Sequence, residues 1–227
     1  MIPYPPSYNK RPSVNRNDEN QTKNHKTISV VGTGSIQVPP DVATVIIGVV
    51  TQDKDLQRAQ AENTKQSNNV IKALNNIGIE NEDIQTINYS VNINYDYING
   101  KQKFRNYEVK HILQVTIKDI NQVGEVYDVS IRNGANIEGG VTFSLSNEKY
   151  YYDKTLDLAV KDSVRKANNV ASSLSTKVNN IPLSIKETSF GQSQVYPTNY
   201  AYKNNAPPIQ SGLIEISAQV NATFEII

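Results

Sequence analysis

Residues 87–117 read INYSVNINYDYINGKQKFRNYEVKHILQVTI, and their period decides the fold class. Ile87, Tyr89, Val91, Ile93, Tyr95 and Tyr97 alternate with Asn88, Ser90, Asn92, Asn94 and Asp96, which sorts apolar and polar side chains onto opposite faces of a strand. Asn99-Gly100 supplies the positive-φ pair of a type I′ turn. The return strand repeats the rule with Tyr107, Val109, His111, Leu113, Val115 and Ile117 on one face. A long antiparallel hairpin, half-buried, is the expectation.

Working outward, Val42 to Val50 is apolar on both faces, as in a central strand with cover on each side. Asp53 or Asp55 caps a helix with apolar positions at Leu56, Ala59, Val70, Ala73, Leu74 and Ile77, and Gly78 stops it. Upstream, Ile28 to Val38 forms a strand through Gly32 and Gly34, joined to the next strand at a Pro39-Pro40-Asp41 turn. Downstream, a short helix follows Asp119 with Val123, Val126, Tyr127 and Ile131 as its stripe and ends at Gly134. Then come a strand at Ile137 to Leu145, a long helix from about Tyr151 to Val178, a strand from Pro182 to Phe190, a loop over roughly 191–211 and a closing strand alternating from Ile214 to Ile226.

The order strand, long helix, strand, strand thus occurs twice, at about 42–118 and 137–227. Asn68-Asn69-Val70 with Leu74 is echoed by Asn168-Asn169-Val170 with Leu174. The expected fold is α+β: duplicated units, antiparallel sheets with a long helix on one face of each, and a protruding β-hairpin, all within 27–227. Residues 1–26, with four prolines among polar residues, form a tail expected to be disordered.

Several pieces in this order resemble the SIMPL domain family: Val31-Gly32-Thr33-Gly34 with Pro40-Asp41-Val42-Ala43, then Gly78-Ile79 with Asp83-Ile84-Gln85-Thr86. Tyr107, Val123-Gly124, Gly134-Ala135 and the spaced Ala159, Ala167 and Ala171 continue the likeness, which covers about 27–227. That family includes bacterial periplasmic immunogenic and oxidative-stress-defence proteins. The resemblance implies a mixed α+β unit, large rings in some members, a link to stress or envelope function, and no agreed catalytic residues to carry over.

Composition narrows the chemistry. With 23 basic and 22 acidic residues the net charge is +1, which disfavours a dedicated nucleic-acid binder. Lys101, Lys103, Phe104, Arg105 and Tyr107 mix cations with aromatics, but Asp96 and Glu108 share that hairpin, and charges commonly guard strand edges. The absence of cysteine removes thiolate nucleophiles and Cys-based metal sites. Gly32-Thr33-Gly34 is followed by no Gly-Lys-Ser/Thr, so a tight bend or bulge is preferred over a phosphate loop. His111 sits mid-strand without a second His at ligand spacing and is read as a packed, hydrogen-bonded residue. Glu80, Glu82 and Asp83, like Glu125 and Asp128, are read as solvated charges. No cofactor, metal or catalytic residue is expected, and the chain is read as non-enzymatic. No membrane-spanning stretch or apolar leader is seen, so a cytoplasmic location is expected, with an envelope or spore surface left open.

Length supplies the functional expectation. Strands of about 14 residues span about 45 Å at ~3.3 Å each, whereas a helix of about 22 residues covers about 33 Å. The hairpin should overhang its helix and leave Tyr95, Tyr97, Ile98, Phe104 and Tyr107 needing cover, from the 191–211 loop or from a second subunit. A homo-oligomer is the leading expectation. Its rival is a monomeric module binding a small molecule or protein in a cleft between the duplicated halves; an enzymatic reading resting on His111 or Glu82 ranks third.

Overall fold

A computed structural model describes residues 26–190, 194–196 and 211–227. The expected tail at 1–26, apart from Lys26, and most of the 191–211 loop lie outside the described residues. Among those described, the chain runs β1 (Thr27–Val38), β2 (Val42–Asp53), α1 (Leu56–Asn76), β3 (Ile84–Ile98), β4 (Lys101–Ile117), α2 (Val123–Arg132), β5 (Ile137–Ser144), α3 (Glu148–Ser173), β6 (Ser184–Phe190), β7 (Gln194–Tyr196) and β8 (Leu213–Glu225). The strands form two antiparallel sheets, ordered β3-β4-β2-β5 and β1-β8-β6, with β7 also on β8. The α+β class, the helix-covered sheets and the protruding hairpin are present.

Strand pairing adds what chain order could not reveal. β1 and β2 do not pair across Pro39-Pro40; β1 runs beside β8 in one sheet and β2 lies between β4 and β5 in the other. The proline pair, with no N–H to offer a ladder, carries the chain between sheets. Asp41 clasps this crossing by accepting the Ser146 N–H at 2.7 Å and the Ser146 hydroxyl at 2.6 Å. In the second unit β1 occupies the place beside β8 that β2 occupies beside β4, while β5 extends the first sheet.

Each long helix is seated by small residues. In α1 the Asp55 carboxylate accepts the Arg58 N–H at 3.1 Å as N-cap, and Gly78 beyond the C-terminus takes φ +91°. Its buried stripe is Ala59, Asn63, Ser67, Val70, Ala73 and Leu74, set over Val45, Ile47, Val49, Leu113 and Val115. In α3, Thr155, Ala159, Ser163, Ala167 and Ala171 recur every four residues along the buried face. Val170 and Leu174 are exposed there while Val70 and Leu74 are buried, so the two Asn-Asn-Val motifs do not occupy equivalent faces. The helix ends at Ser173, short of Val178, because Ser175 turns left-handed at φ 56° and Val178 bridges to Ile226.

Gly32 and Gly34 form neither a bend nor a bulge. They pair regularly with Val220 and Ala218, and their missing side chains let α3 approach: a Cβ at Gly32 would meet the Ala159 carbonyl oxygen at 2.1 Å, and one at Gly34 the Thr155 oxygen at 2.3 Å.

Candidate association surface

A helix about 10 Å across spans two strands set about 4.8 Å apart, not four. α1 sits over β2 and β4, where Asn63 Nδ2 donates to the Val49 and Val109 carbonyls at 3.0 and 3.1 Å and Thr51 Oγ1 donates to the Ala59 carbonyl at 2.7 Å. β3 is the outer strand, beyond that cover. Tyr89, Val91 and Ile93 pair with His111, Val109 and Tyr107, which places them on the helix-bearing face. They are nevertheless 51%, 40% and 49% exposed. The half-buried expectation for this strand is thereby corrected: the alternation holds from Asn88 onward, after a register shift at Ile87, but the helix stops one strand short.

β2 ends at Asp53, opposite Tyr107, so the residues beyond Asn94 and Asn106 form a two-stranded ribbon. The register shift between Asn94 and Tyr95 leaves Arg105 out of the cross-strand register and sets Tyr95 opposite Phe104. That extra residue rotates Phe104 onto the face of Tyr107, their ring centroids 5.1 Å apart. Tyr95, Tyr97, Phe104 and Tyr107 therefore share one face. Ile98, adjacent to Tyr97, points to the other side of the tip by strand alternation and is not brought together with them. Tyr97 is 76% exposed and Tyr107 half-buried. Asn99 and Gly100 close the tip with φ 52° and 74°, the paired positive values of the expected turn. Tyr89, Val91 and Ile93 extend the surface beyond the five residues anticipated; the signal was the absence of any charge from Ile84 through Tyr95.

His111 is held in a hydrogen-bonded relay between β3 and α1. Asn63 commits its amide N–H groups to two carbonyls, so its Oδ1 accepts from Ser67 Oγ, at 3.5 Å the weakest link. Ser67 Oγ then accepts from His111 Nδ1 at 3.1 Å, which leaves Nε2 to accept from the Thr86 hydroxyl at 2.9 Å. The relay needs a neutral imidazole, and burial lowers the His111 pKa accordingly. Tyr89 packs edge-on against the ring at 5.6 Å.

The Glu80, Glu82 and Asp83 carboxylates lie within 4.8 Å of one another beside Lys118, whose Nζ is 2.8 Å from Asp83 and 3.5 Å from Glu82. The hydrogen bond to Asp83 is the main reason the Lys118 pKa is raised. A cation of the chain thus already serves this cluster. On the helix-free face, Val50, Gln52, Glu108, Lys110 and Asn136 line a concavity of about 570 Å³. Asn136 accepts the Val50 N–H at 2.7 Å and donates to the Val50 carbonyl at 2.8 Å, and Gln52 donates to Glu108 at 2.7 Å. This hollow belongs to the first sheet alone and is not a cleft between halves. Among the described residues no helix is long and apolar enough to cross a membrane.

Comparison with known proteins finds relatives along almost the whole chain. A family described as SIMPL, protein of unknown function (DUF541), matches residues 28–224. The 26 kDa periplasmic immunogenic protein of Brucella melitensis is 26% identical over 92% of this chain and 88% of its own length. The uncharacterized protein YggE of Escherichia coli is 23% identical over 86% of this chain and 81% of its own. The Brucella name overturns the cytoplasmic expectation, which rested on seeing neither a membrane-spanning stretch nor an apolar leader and is outweighed by a likeness running along almost the whole chain.

Proposed function

The chain belongs to the SIMPL family, and from that premise we propose that it is a non-enzymatic protein that self-associates through the exposed apolar face of β3 and the β3–β4 ribbon. One observation carries this reading: Tyr89, Val91, Ile93, Tyr95, Tyr97 and Phe104 share one face and all stay at least 40% exposed in the single chain. Side chains of this kind, about half covered, leave on the order of 100 Å² each, or on the order of 600 Å² together. That stands at the top of the ~300–600 Å² range for the largest patch of an ordinary monomer and approaches the ~800 Å² that one partner gives to a standard interface.

The non-enzymatic part is supported by His111 and Glu82, the residues an acid–base mechanism would need. One is tied into a relay that spans β3, β4 and α1, the other is paired with Lys118. The Brucella relative's name supports an envelope setting outside the cytoplasm. A role in stress defence rests on the family resemblance alone.

Sedimentation of the full chain beside a Tyr95→Ser, Tyr97→Ser, Phe104→Ser variant tests the proposal. Loss of anchor aromatics costs about 2 kcal/mol or more apiece at an interface, so the variant is expected to run as a monomer at concentrations where the parent is assembled. A parent that is itself monomeric, its ribbon covered by its own loop, refutes the reading.

A further inference from the structure

We propose that β3 pairs edge to edge, antiparallel, with β3 of a second copy about a two-fold axis at Val91, joining two four-stranded sheets into one. This rests on the self-association reading and specifies its geometry. An open strand edge offers a row of unpaired N–H and C=O groups, and proteins ordinarily blunt such edges with charge, shortness, bulges or cover.

Among the described residues the other edges are blunted, β7 being only three residues long. On β1, Asp162 accepts the outward Thr33 N–H at 3.0 Å and Lys166 donates to the Val31 carbonyl at 2.8 Å. β6 is seven residues long and carries Lys186 and Glu187. β5 is eight residues, with a register shift opposite Val45 and Ile47. β3 has 15 residues, and although a register shift at Ile87 interrupts it as one interrupts β5, from Ile84 through Tyr95 it holds no charge, proline or glycine.

Its pattern is also self-complementary. The run between the two register shifts, Asn88–Asn94, has Val91 at its centre, and so does the whole strand Ile84–Ile98. A two-fold axis there sets Val91 against itself, Tyr89 against Ile93 and Ser90 against Asn92. Apolar meets apolar and polar meets polar, and both α1 helices fall on the same side of the joined sheet. Each ribbon that overhangs its own helix then lies alongside the partner's helix-backed half.

The chain has no cysteine, so single Cys substitutions at each position from 88 to 94 report the geometry in full-length protein. Disulfides need Cα atoms about 4.4–6.8 Å apart, and moving two residues off the axis separates a self-pair by about 13 Å. Under mild oxidation Val91→Cys is expected to form covalent dimer about tenfold more than Tyr89→Cys or Ile93→Cys, while the Tyr89→Cys, Ile93→Cys double variant regains it. Val91→Lys, with melting followed to confirm the fold, is expected to abolish pairing. Assembly without a Val91-centred peak, or equal crosslinking at Tyr89, Val91 and Ile93 as stacked faces would give, overturns edge pairing and leaves self-association standing. A monomeric parent refutes both.

Discussion

Gly32 of β1 and Ala159 of α3 approach so closely that a methyl group at Gly32 would lie 2.1 Å from the Ala159 carbonyl oxygen and 2.7 Å from Ser163 Cβ. Backbone cannot yield as a flexible side chain can. The small-residue face of α3 and the glycines of β1 therefore act as one packing device for the second sheet.

Gly32→Ala is expected to lose about 1–3 kcal/mol by overpacking, lowering Tm by about 2–4 °C per kcal/mol in a chain of this size. Gly140→Ala, with nothing within 4 Å of the added Cβ, is the matched control. Equal melting of the two variants would show that α3 does not sit as described.

Asp162 accepts from Lys166 at 2.7 Å, from the Thr33 N–H at 3.0 Å and from Arg165, and the Lys166 bond chiefly holds its carboxyl far below the ordinary 3.8. A depressed folded value means that the stabilisation is present above the unfolded pKa and is lost as pH falls towards the folded one. Asp162→Asn should therefore cost roughly 1–3 kcal/mol at neutral pH, a gap that narrows below about pH 4. Denaturant titrations showing the same gap at both pH values would contradict the pairing.

For His111 the sign is the same, in a higher pH window. Burial lowers its folded value below 6.5, so the unfolded chain binds the proton first and stability declines as pH falls from about 6.5 through the folded value. Imidazole NMR signals should give a midpoint below 6.5, and His111→Gln should flatten the stability profile across that window. A His111 midpoint at or above 6.5 would rule out the neutral relay to Ser67 and Thr86.

Local chemistry made much of the fold legible. The Asp55 cap, the Gly78 stop and the Asn99-Gly100 turn each follow from what one or two residues permit, and alternation marked β3, β4 and β8. Pairing was not legible, because nothing in Pro39-Pro40 distinguishes a hairpin from a passage between sheets. Nor does any local pattern say that β1, not β5, borders β8. The exposed apolar surface was half legible. The ribbon followed from strand and helix lengths, but the exposure of Tyr89, Val91 and Ile93 depends on which two strands α1 covers, a tertiary fact. Phe104 joining Tyr107 on one face depends on the bulge at Arg105, which alternation alone would have missed.

The most direct measurement is the solution mass of the unaltered chain by light scattering behind a sizing column at micromolar concentration. Cover of β3 and its ribbon by another copy requires a whole-number multiple of 25.3 kDa, two or more. A single 25.3 kDa species across the concentration range would mean that those tyrosines are covered from within the chain or left bare.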